Sequence, residues 1–568
     1  MTSESSAPAS GVHVRSLLSV VILALFVACG DDRPGPDNEK KTAITLRFVT
    51  TSDKYPWLRE AIDEFEESKP TSPNEGLPIE VDLIEAGSSR SVMELAFHSA
   101  GDIQLVSPAA SFYIQEVNEA QQALGRPIIA STPIPLARTA LVIGMAQSVA
   151  ESLGYPEVGL GWRDLATLAS NPQLWKTSTQ DQFGSFRLAW CDPEASNAGL
   201  LTLMASLAAA TRRATGPHMD ELSRPETGRF LQSFEAATVA YSPDPGFLAR
   251  RLAEQGSKGL SAIVVYERDI FNAYLAPNPP VEALVAIQPT EGTFECDHPV
   301  ALLEQNLDPE ARSAAELLVG FLLSEKVQDR LLLHGFRTAD RREELPQDLA
   351  EARGLTAGVP PKLYEIPYAA VRDASLGVWR RAKLPAHVWF IVETSASMAV
   401  PEDNRIGRVA RLIDEICDHM HERDTVGLIT IDASATTAMQ PVFVREARHR
   451  IRELLASLEP RGGVALIEQL PGIYQEVVRQ ARPQRLHAVV LCGTGFDALS
   501  EEAVGYAVGQ MRRIQTESPG EIPVFSVGLT SGAELDILRR LSNATGGRPY
   551  FLQDNNVERL ARELSAFW

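Results

Sequence analysis

Short apolar runs alternate with amphipathic helical segments through most of this 568-residue chain, and that alternation constrains the fold more than any other feature. In the first region, from Ile44 to about Asp340, one apolar run is followed by Leu58, Ile62 and Phe65 at helical spacing. Strands that alternate with helices predict an α/β fold with largely parallel sheets. The strands predicted in this region are Ile44–Val49, Ile79–Ile84, Ile103–Val106, Ala140–Ile143, Phe186–Trp190 and Ala262–Val265, and the helices are Val92–Ala100, Leu200–Ala210 and Ala311–Leu323.

A second stretch of alternation runs from His387 to Trp568, after a proline-bearing connector. Its order of elements predicts a doubly wound, Rossmann-like sheet. Within the connector, Ala369–Trp379 is predicted to form a short helix. The strands predicted here are Val388–Val392, Val426–Ile431, Ala488–Leu491 and Val524–Val527, and the helices are Arg405–His421, Val444–Ser457, Ile467–Arg479, Glu502–Ile514, Leu535–Ser542 and Val557–Phe567.

Length and charge limit the number of domains and the class of partner. About 150 residues per domain gives roughly three or four folding units. The 53 basic and 74 acidic residues give a formal net charge of −21. Nucleic acids and anionic membrane surfaces bind through basic patches, so the composition argues against both as partners.

An apolar run near the N-terminus, Leu17–Val27, leads to Ala28-Cys29-Gly30. It is too short to cross a bilayer, which takes about 20 apolar residues, and it fits the core of a signal peptide. The segment Phe26–Cys29 resembles a bacterial lipobox, with Phe26 where Leu is usual. This implies a lipid anchor on Cys29 that holds the protein to the bacterial cell envelope, facing periplasm or exterior. Plain secretion, with Cys29 incidental, is the alternative.

Four further cysteines follow Cys29: Cys191, Cys296, Cys417 and Cys492. None has the CxxC or CxxH spacing of zinc or redox sites. Buried thiols are therefore expected, and a Cys191–Cys296 disulfide is left open because an exported protein can form one.

Hydroxyl-rich loops follow several predicted strands of the first region. Such loops at helix starts offer backbone N–H groups and side-chain donors to a ligand, although each serine could serve only as a helix N-cap. With the segments Gly87–Ser89, Asp192–Leu200, Glu291–Phe294 and Gly335–Arg337, the region resembles two-lobed, type II-like periplasmic solute-binding proteins. The resemblance implies one ligand cleft, for an oxyanion, a peptide, a cation or a surface motif. The candidate ligand-binding residues are Thr51, Ser52, Ser88, Ser89, Ser196, Asn197, Tyr266 and Glu267.

The loop after the apolar run Val388–Val392 carries an acid and two serines. Together with Arg461-Gly462-Gly463 and Leu541–Gly547, it resembles a von Willebrand factor A domain, whose metal-site loop reads Asp-x-Ser-x-Ser. The resemblance implies a Mg²⁺ site, altered in this chain, at Glu393, Ser395, Ser397, Val464 and Thr494. Val464 offers no oxygen and Thr494 replaces a carboxylate, so we expect a degenerate site without a cofactor unless Asp497 or Glu468 supplies the missing ligand.

The helix end His419-Met420-His421 is expected to be solvated, because residues two apart on a helix point to different sides.

No motif typical of catalysis occurs: GxSxG, HExxH and GxxxxGK[ST] are all absent from the sequence. We expect a non-enzymatic, envelope-anchored lipoprotein that binds a small molecule and docks an unidentified protein through its von Willebrand A domain. The alternative is a solute receptor for an ABC-type uptake system. The predicted parts are a signal peptide (1–28), a tether (29–42), a two-lobed binding module (43–340), a connector (341–385) and the von Willebrand A domain (386–568).

Overall fold

The computed structural model describes residues 42–98, 102–213, 215–340, 345–358, 360, 362–400, 403–463, 465–482, 484–494, 501–518, 520–530 and 534–568. The predicted signal peptide and Cys29 lie outside these residues, as do Val464 and Asp497. Across the described part of the chain, no helix has both the length and the apolar character needed to cross a membrane.

The strands, in chain order, are β1 Ile44–Thr50, β2 Ile79–Glu85, β3 Leu105–Ser107, β4 Ile134–Pro135, β5 Ala137–Ala146, β6 Leu188–Cys191, β7 Thr238–Ser242, β8 Ala262–Tyr266, β9 Leu284–Ile287, β10 Glu295–Cys296, β11 Pro299–Leu302, β12 Arg337–Thr338, β13 Ala386–Glu393, β14 Thr425–Ile431, β15 Ala435–Phe443, β16 Leu486–Gly493, β17 Val524–Gly528 and β18 Pro549–Phe551.

The helices are α1 Tyr55–Glu67, α2 Ser89–His98, α3 Phe112–Ala123, α4 Gln147–Ser152, α5 Trp162–Ser170, α6 Pro172–Ser178, α7 Asn197–Thr211, α8 Met219–Leu222, α9 Pro225–Glu235, α10 Pro245–Gln255, α11 Glu267–Ala273, α12 Pro309–Leu322, α13 Glu325–Leu331, α14 Gln347–Ala352, α15 Ala369–Ala382, α16 Arg405–His419, α17 Val444–Ala456, α18 Leu466–Arg479, α19 Glu501–Glu517, α20 Glu534–Ala544 and α21 Val557–Ser565.

The first of two compact units takes the described residues up to Ala137 together with Asp297–Leu331. Its sheet has the order β2-β1-β3-β11-β4, in which β1 pairs in parallel with β2 and β3. Strand β11 returns antiparallel beside β3. Because parallel strands end at the same edge of a sheet, the loops after β1, β2 and β3 share one edge.

The second unit takes Arg138–Cys296 together with Leu332–Trp568 and contains two sheets. The first has the order β10-β5-β8-β6-β7, with β9 and β12 also paired to β5. Strands β6, β7 and β8 are parallel, whereas β5 runs antiparallel to β8. Helix α7 packs onto this part of the unit and is buried along almost its whole length.

The other sheet of the second unit has the order β15-β14-β13-β16-β17-β18. Strand β13 is central and buried at every position, as expected for a parallel strand with both faces covered. Trp389 and Ile391 lie in one apolar cluster with residues of α18, α19 and α20. The predicted α/β fold class, with a doubly wound C-terminal sheet, is confirmed. The antiparallel edge strand β15 was not predicted.

Helix α15 lies between the two sheets of the second unit along the chain, and its Trp379 is fully buried. Its indole Nε1 donates to Glu235 Oε1 at 3.0 Å, and Tyr241 donates its hydroxyl to Oε2 of the same carboxylate at 2.7 Å. Just after the helix, Lys383 Nζ lies 4.7 Å from the Trp379 ring centroid and donates to the main-chain oxygen of Trp568 at 2.6 Å. We call these five residues the aromatic joint. Burial raises the pKa of Glu235 to about 7.

Two histidines occupy paired positions on β13 and β16. His387 and His487 are opposite each other in the register, with ring centroids 5.3 Å apart. Burial, together with the neighbouring His487, Arg485 and Arg482, lowers the pKa of His387 to about 4. Burial also lowers the pKa of His487. The two rings therefore stay neutral in the folded protein at pH 7.

Replacing His387 by Phe should reduce the acid sensitivity of the fold. The folded-state pKa lies below the unfolded value of about 6.5, so the unfolded chain takes up this proton first as the pH falls. The stability that the neutral ring contributes is complete above pH 6.5 and is lost between pH 6.5 and 4. His387→Phe should lose less unfolding free energy over that window than the wild type, by on the order of 2 kcal/mol. Urea unfolding at each pH measures this.

The exposed His449 supplies the matched control, because His449→Phe should keep the wild-type pH profile. If the unfolding free energies of His387→Phe and the wild type fall equally between pH 6.5 and 4, His387 is not a source of the acid sensitivity.

Candidate functional site

In the first unit, hydrogen bonds join the loops that follow β1 and β2. Ser52 is exposed, and its backbone N–H and hydroxyl donate to the carbonyl of Gly87 at 3.1 and 3.3 Å. Ser88 accepts from the backbone N–H of Ser91 at 3.2 Å and so caps helix α2. Ser89 is buried and accepts from the backbone N–H of Ala109 at 2.8 Å. The predicted residues of these two loops therefore come together at one edge of the sheet.

Thr51 lies in a buried polar cluster that the sequence did not reveal. Its hydroxyl donates to Asp53 Oδ1 at 2.5 Å and accepts from Lys54 Nζ at 2.6 Å. Lys54 is fully buried, and its ammonium also donates to the carbonyl of Pro108 at 3.2 Å. His298 Nδ1 lies 3.5 Å from Asp53 Oδ2. The available signal in the sequence was a lysine four residues after the end of β1, but the burial of Lys54 follows from tertiary contacts.

In the second unit, Asn197 begins α7 and Tyr266 ends β8, and the structure brings their side chains together. Asn197 Nδ2 donates to the Tyr266 hydroxyl at 2.8 Å and lies 3.0 Å from Cys296 Sγ. Cys296 Sγ lies 3.2 Å from the same hydroxyl. Asn197 Oδ1 is buried and has no hydrogen-bond partner among the described residues. Ser196 precedes this cluster and makes no capping hydrogen bond with its side chain.

Glu267 is held in a buried ion pair. Its two carboxylate oxygens accept from Arg337 Nε and Nη2 at 2.7 and 2.8 Å, and Oε1 also accepts from the backbone N–H of Ala140 at 3.2 Å. Arg337 also donates to the carbonyls of Thr356 and Ala357. Glu267 therefore ties β5 and the start of α11 to β12, and Arg337 neutralises its charge.

The cysteines of the described chain are all free and buried, so Cys191 and Cys296 are not joined. Burial raises the pKa of Cys417 and Cys492 to about 12. These thiols are therefore protonated and inert at neutral pH, as expected of structural cysteines.

In the C-terminal sheet, the loop after β13 folds its serines back onto Glu393. Glu393 is fully buried, and its Oε1 accepts from the hydroxyls of Ser395 at 2.6 Å and Ser397 at 2.5 Å. Thr494 donates its backbone N–H to Oε2 at 2.7 Å, and its hydroxyl lies 3.0 Å from both carboxylate oxygens. A Cβ on Gly493 would lie 2.6 Å from Oε2, so glycine at the end of β16 leaves room for the longer acid.

Glu468 and His421, which were also considered for metal binding, do not join this cluster. Glu468 has an exposed side chain on α18, and Val464 and Asp497 lie outside the described residues. His421 Nδ1 accepts from the backbone N–H of Arg423 at 3.2 Å. Within the part of the chain that the structure covers, no group of three or more His, Cys, Asp or Glu side chains could hold a metal ion.

Solved structures of two binding proteins are similar to part of this chain. The chain resembles maltose-bound MalE3 of T. maritima (15% identity, 60% of this chain and 94% of that chain, TM-score 0.43). It also resembles the spermidine/putrescine substrate-binding protein PotD from Streptococcus pneumoniae (13% identity, 60% and 98%, TM-score 0.41).

The C-terminal region resembles a von Willebrand factor type A protein from Catenulispora acidiphila (16% identity, TM-score 0.28). That match covers 32% of this chain and only 42% of the other. No curated protein sequence matches the chain. A sequence model described as bacterial extracellular solute-binding protein matches residues 46–337, more than half of the 568 residues. The chain therefore belongs to the bacterial extracellular solute-binding protein family.

Proposed function

We propose that the protein is a non-enzymatic lipoprotein of the bacterial cell envelope that recognises a small-molecule ligand and docks a protein partner. In this proposal, the solute-binding region binds the ligand and the C-terminal domain binds the partner without a metal ion. The observation that carries the ligand-binding part is the cluster around Asn197, because a buried amide oxygen without a donor is costly unless another group supplies one.

A ligand hydroxyl or amine would satisfy Asn197 Oδ1. The neighbouring Tyr266 hydroxyl and the first turn of α7 provide further polar groups at the same place. We assign ligand contact to Ser196, Asn197 and Tyr266, all in the second unit. Thr51, Ser88, Ser89 and Glu267 already bond within their own units, so their proposed role is to hold the loops in position.

The metal-free part of the proposal rests on the donor set around Glu393. Mg²⁺ prefers near-octahedral oxygen ligands at about 2.0–2.1 Å and is usually bound through one or two carboxylates. Here the hydroxyls of Ser395 and Ser397 donate to the carboxylate itself, and Thr494 adds no charge. Glu393 is the only acid of this cluster in the described residues, so the set does not fit a hard cation. The hydroxyl groups of the chain itself, and not a metal ion, satisfy the Glu393 carboxylate.

Replacing Asn197 should weaken ligand-induced stabilisation of the full chain. A ligand at a hundredfold excess over its Kd stabilises the folded state by about 2.7 kcal/mol. Thermal unfolding in the presence of oxyanions, sugars, amino acids, polyamines and peptides should identify at least one stabilising solute. Asn197→Ala should lower the apparent affinity for that solute at least tenfold, because the ligand loses its acceptor. The shift in melting temperature that the solute produces should fall accordingly.

The exposed Asn555 offers a matched substitution, since Asn555→Ala should keep the full ligand response. If no solute in the panel raises the melting temperature, the proposal that the protein recognises a small-molecule ligand is wrong. If the loaded protein stimulates the ATPase of a purified ABC-type permease, the uptake-receptor alternative replaces the docking proposal.

Cys29→Ala should move the protein out of the membrane fraction. The anchor needs the Cys29 thiol, and apolar chains account for stable attachment to the envelope. Labelled palmitate should enter the wild-type protein and not the variant, as followed by gel fluorography of fractionated cells. The buried Cys417 is the control, because Cys417→Ala leaves the anchor intact. Equal labelling of both variants would rule out acylation at Cys29.

Mg²⁺ should leave the melting temperature of the wild-type chain unchanged. The double variant Glu393→Asp/Thr494→Asp shortens one acid and adds a second carboxylate, so it should gain a Mg²⁺-dependent stabilisation. Differential scanning calorimetry with and without Mg²⁺ distinguishes the two proteins. A Mg²⁺-dependent shift in the wild type that disappears in Ser395→Ala would show that the native site holds metal.

A further inference from the structure

A groove of about 920 Å³ lies between helices α18 and α19 on the surface of the C-terminal domain. Its floor consists of small and apolar residues, among them Pro471, Gly472 and Ala507. At its rim, the side chain of Tyr506 is 69% exposed. The groove is distinct from the Glu393 cluster and from the proposed ligand residues.

One glycine that lines the groove, Gly472 in the interior of α18, is not required by packing within the domain. A Cβ at Gly472 would meet no atom within 4 Å. Glycine is the least favourable residue in a helix interior after proline, so alanine would suit the helix better. At Gly427, by contrast, packing explains glycine, because a Cβ there would lie 2.5 Å from the Trp389 ring. At Gly472, the missing side chain instead leaves room for another backbone to approach closely.

The charge around the groove indicates which side chains a docked segment should carry. Glu468 and Glu502 line it and form no ion pair among the described residues, whereas Glu517 pairs with Arg513 at 2.9 Å. The rim is therefore net acidic. A second copy of this chain, which carries a net charge of −21, would be repelled, while basic side chains would be attracted.

We propose that this groove docks an amphipathic helix of another protein, with a stripe of small or apolar residues flanked by Lys and Arg. A helix of that pattern would place its apolar stripe on the groove floor, near Gly472 and beneath Tyr506. Its basic residues would meet Glu468 and Glu502. The inference rests on the proposed docking function and assigns the surface on which docking occurs.

Site-specific photo-crosslinking in the native bacterium tests the groove. A photoreactive phenylalanine analogue at position 506 of the full chain should form an adduct whose cross-linked peptide is a basic, amphipathic helical segment. Gly472→Leu fills the groove without an internal clash and should reduce the adduct at least tenfold. Gly228→Leu is the matched control, because Gly228 is also helical with no atom within 4 Å of its Cβ, and it should leave the adduct unchanged.

The charge requirement is tested by Glu468→Lys/Glu502→Lys, which should reduce the adduct at least tenfold, with Glu446→Lys on α17 as the control.

A second photoreactive position at the exposed Phe443 on β15 separates this inference from the docking function. An adduct at 443 and none at 506 overturns the groove while docking survives. No adduct at either position contradicts both. An adduct to a second copy of the chain, or to an acidic or extended segment, also overturns the proposal.

Discussion

The aromatic joint is the contact on which the organisation of the second unit depends. Glu235 and Tyr241 come from the solute-binding region, Trp379 and Lys383 from the connector, and Trp568 from the last turn of the chain. Because the Trp379 indole, the Tyr241 hydroxyl and the Lys383 ammonium each have a partner there, the buried Glu235 carboxyl group is tolerated. The buried ion pair of Arg251 with Glu521 adds a second link between the same two regions. The C-terminal domain is therefore packed against the part of the binding region that belongs to the second unit.

Sequence patterns predicted the elements that are buried and locally periodic. Strand β13 is an uninterrupted apolar run, and helix α15 appears where Ala369–Trp379 was expected to be helical, although it continues to Ala382. The edge strand β15 was missed because its residues are mostly exposed and form no apolar run. The division into compact units groups the second half of the binding region with the C-terminal domain, and such grouping depends on packing that no local pattern encodes.

The candidate sites were predictable in position but not in detail. Loop spacing located Asn197, Tyr266 and Glu393 because such loops follow apolar strands. It did not reveal that Arg337, 70 residues from Glu267, neutralises that acid, or that Lys54 is buried beside Thr51. Contacts between residues far apart in the chain leave no spacing to recognise. Glu393 is one methylene longer than the Asp of the resembled loop, and its carboxylate lies within reach of three hydroxyls.

The aromatic joint also has a practical consequence for how this protein is divided for study. A gene cut at the predicted boundary near residue 385 would leave Trp379 on one fragment and Trp568 on the other, each with a newly uncovered apolar surface. Such surfaces promote self-association, and Lys383 would lose the main-chain oxygen of Trp568 as its acceptor. Truncated versions are therefore poor reporters of native affinity, and ligand screens are best run on the intact polypeptide.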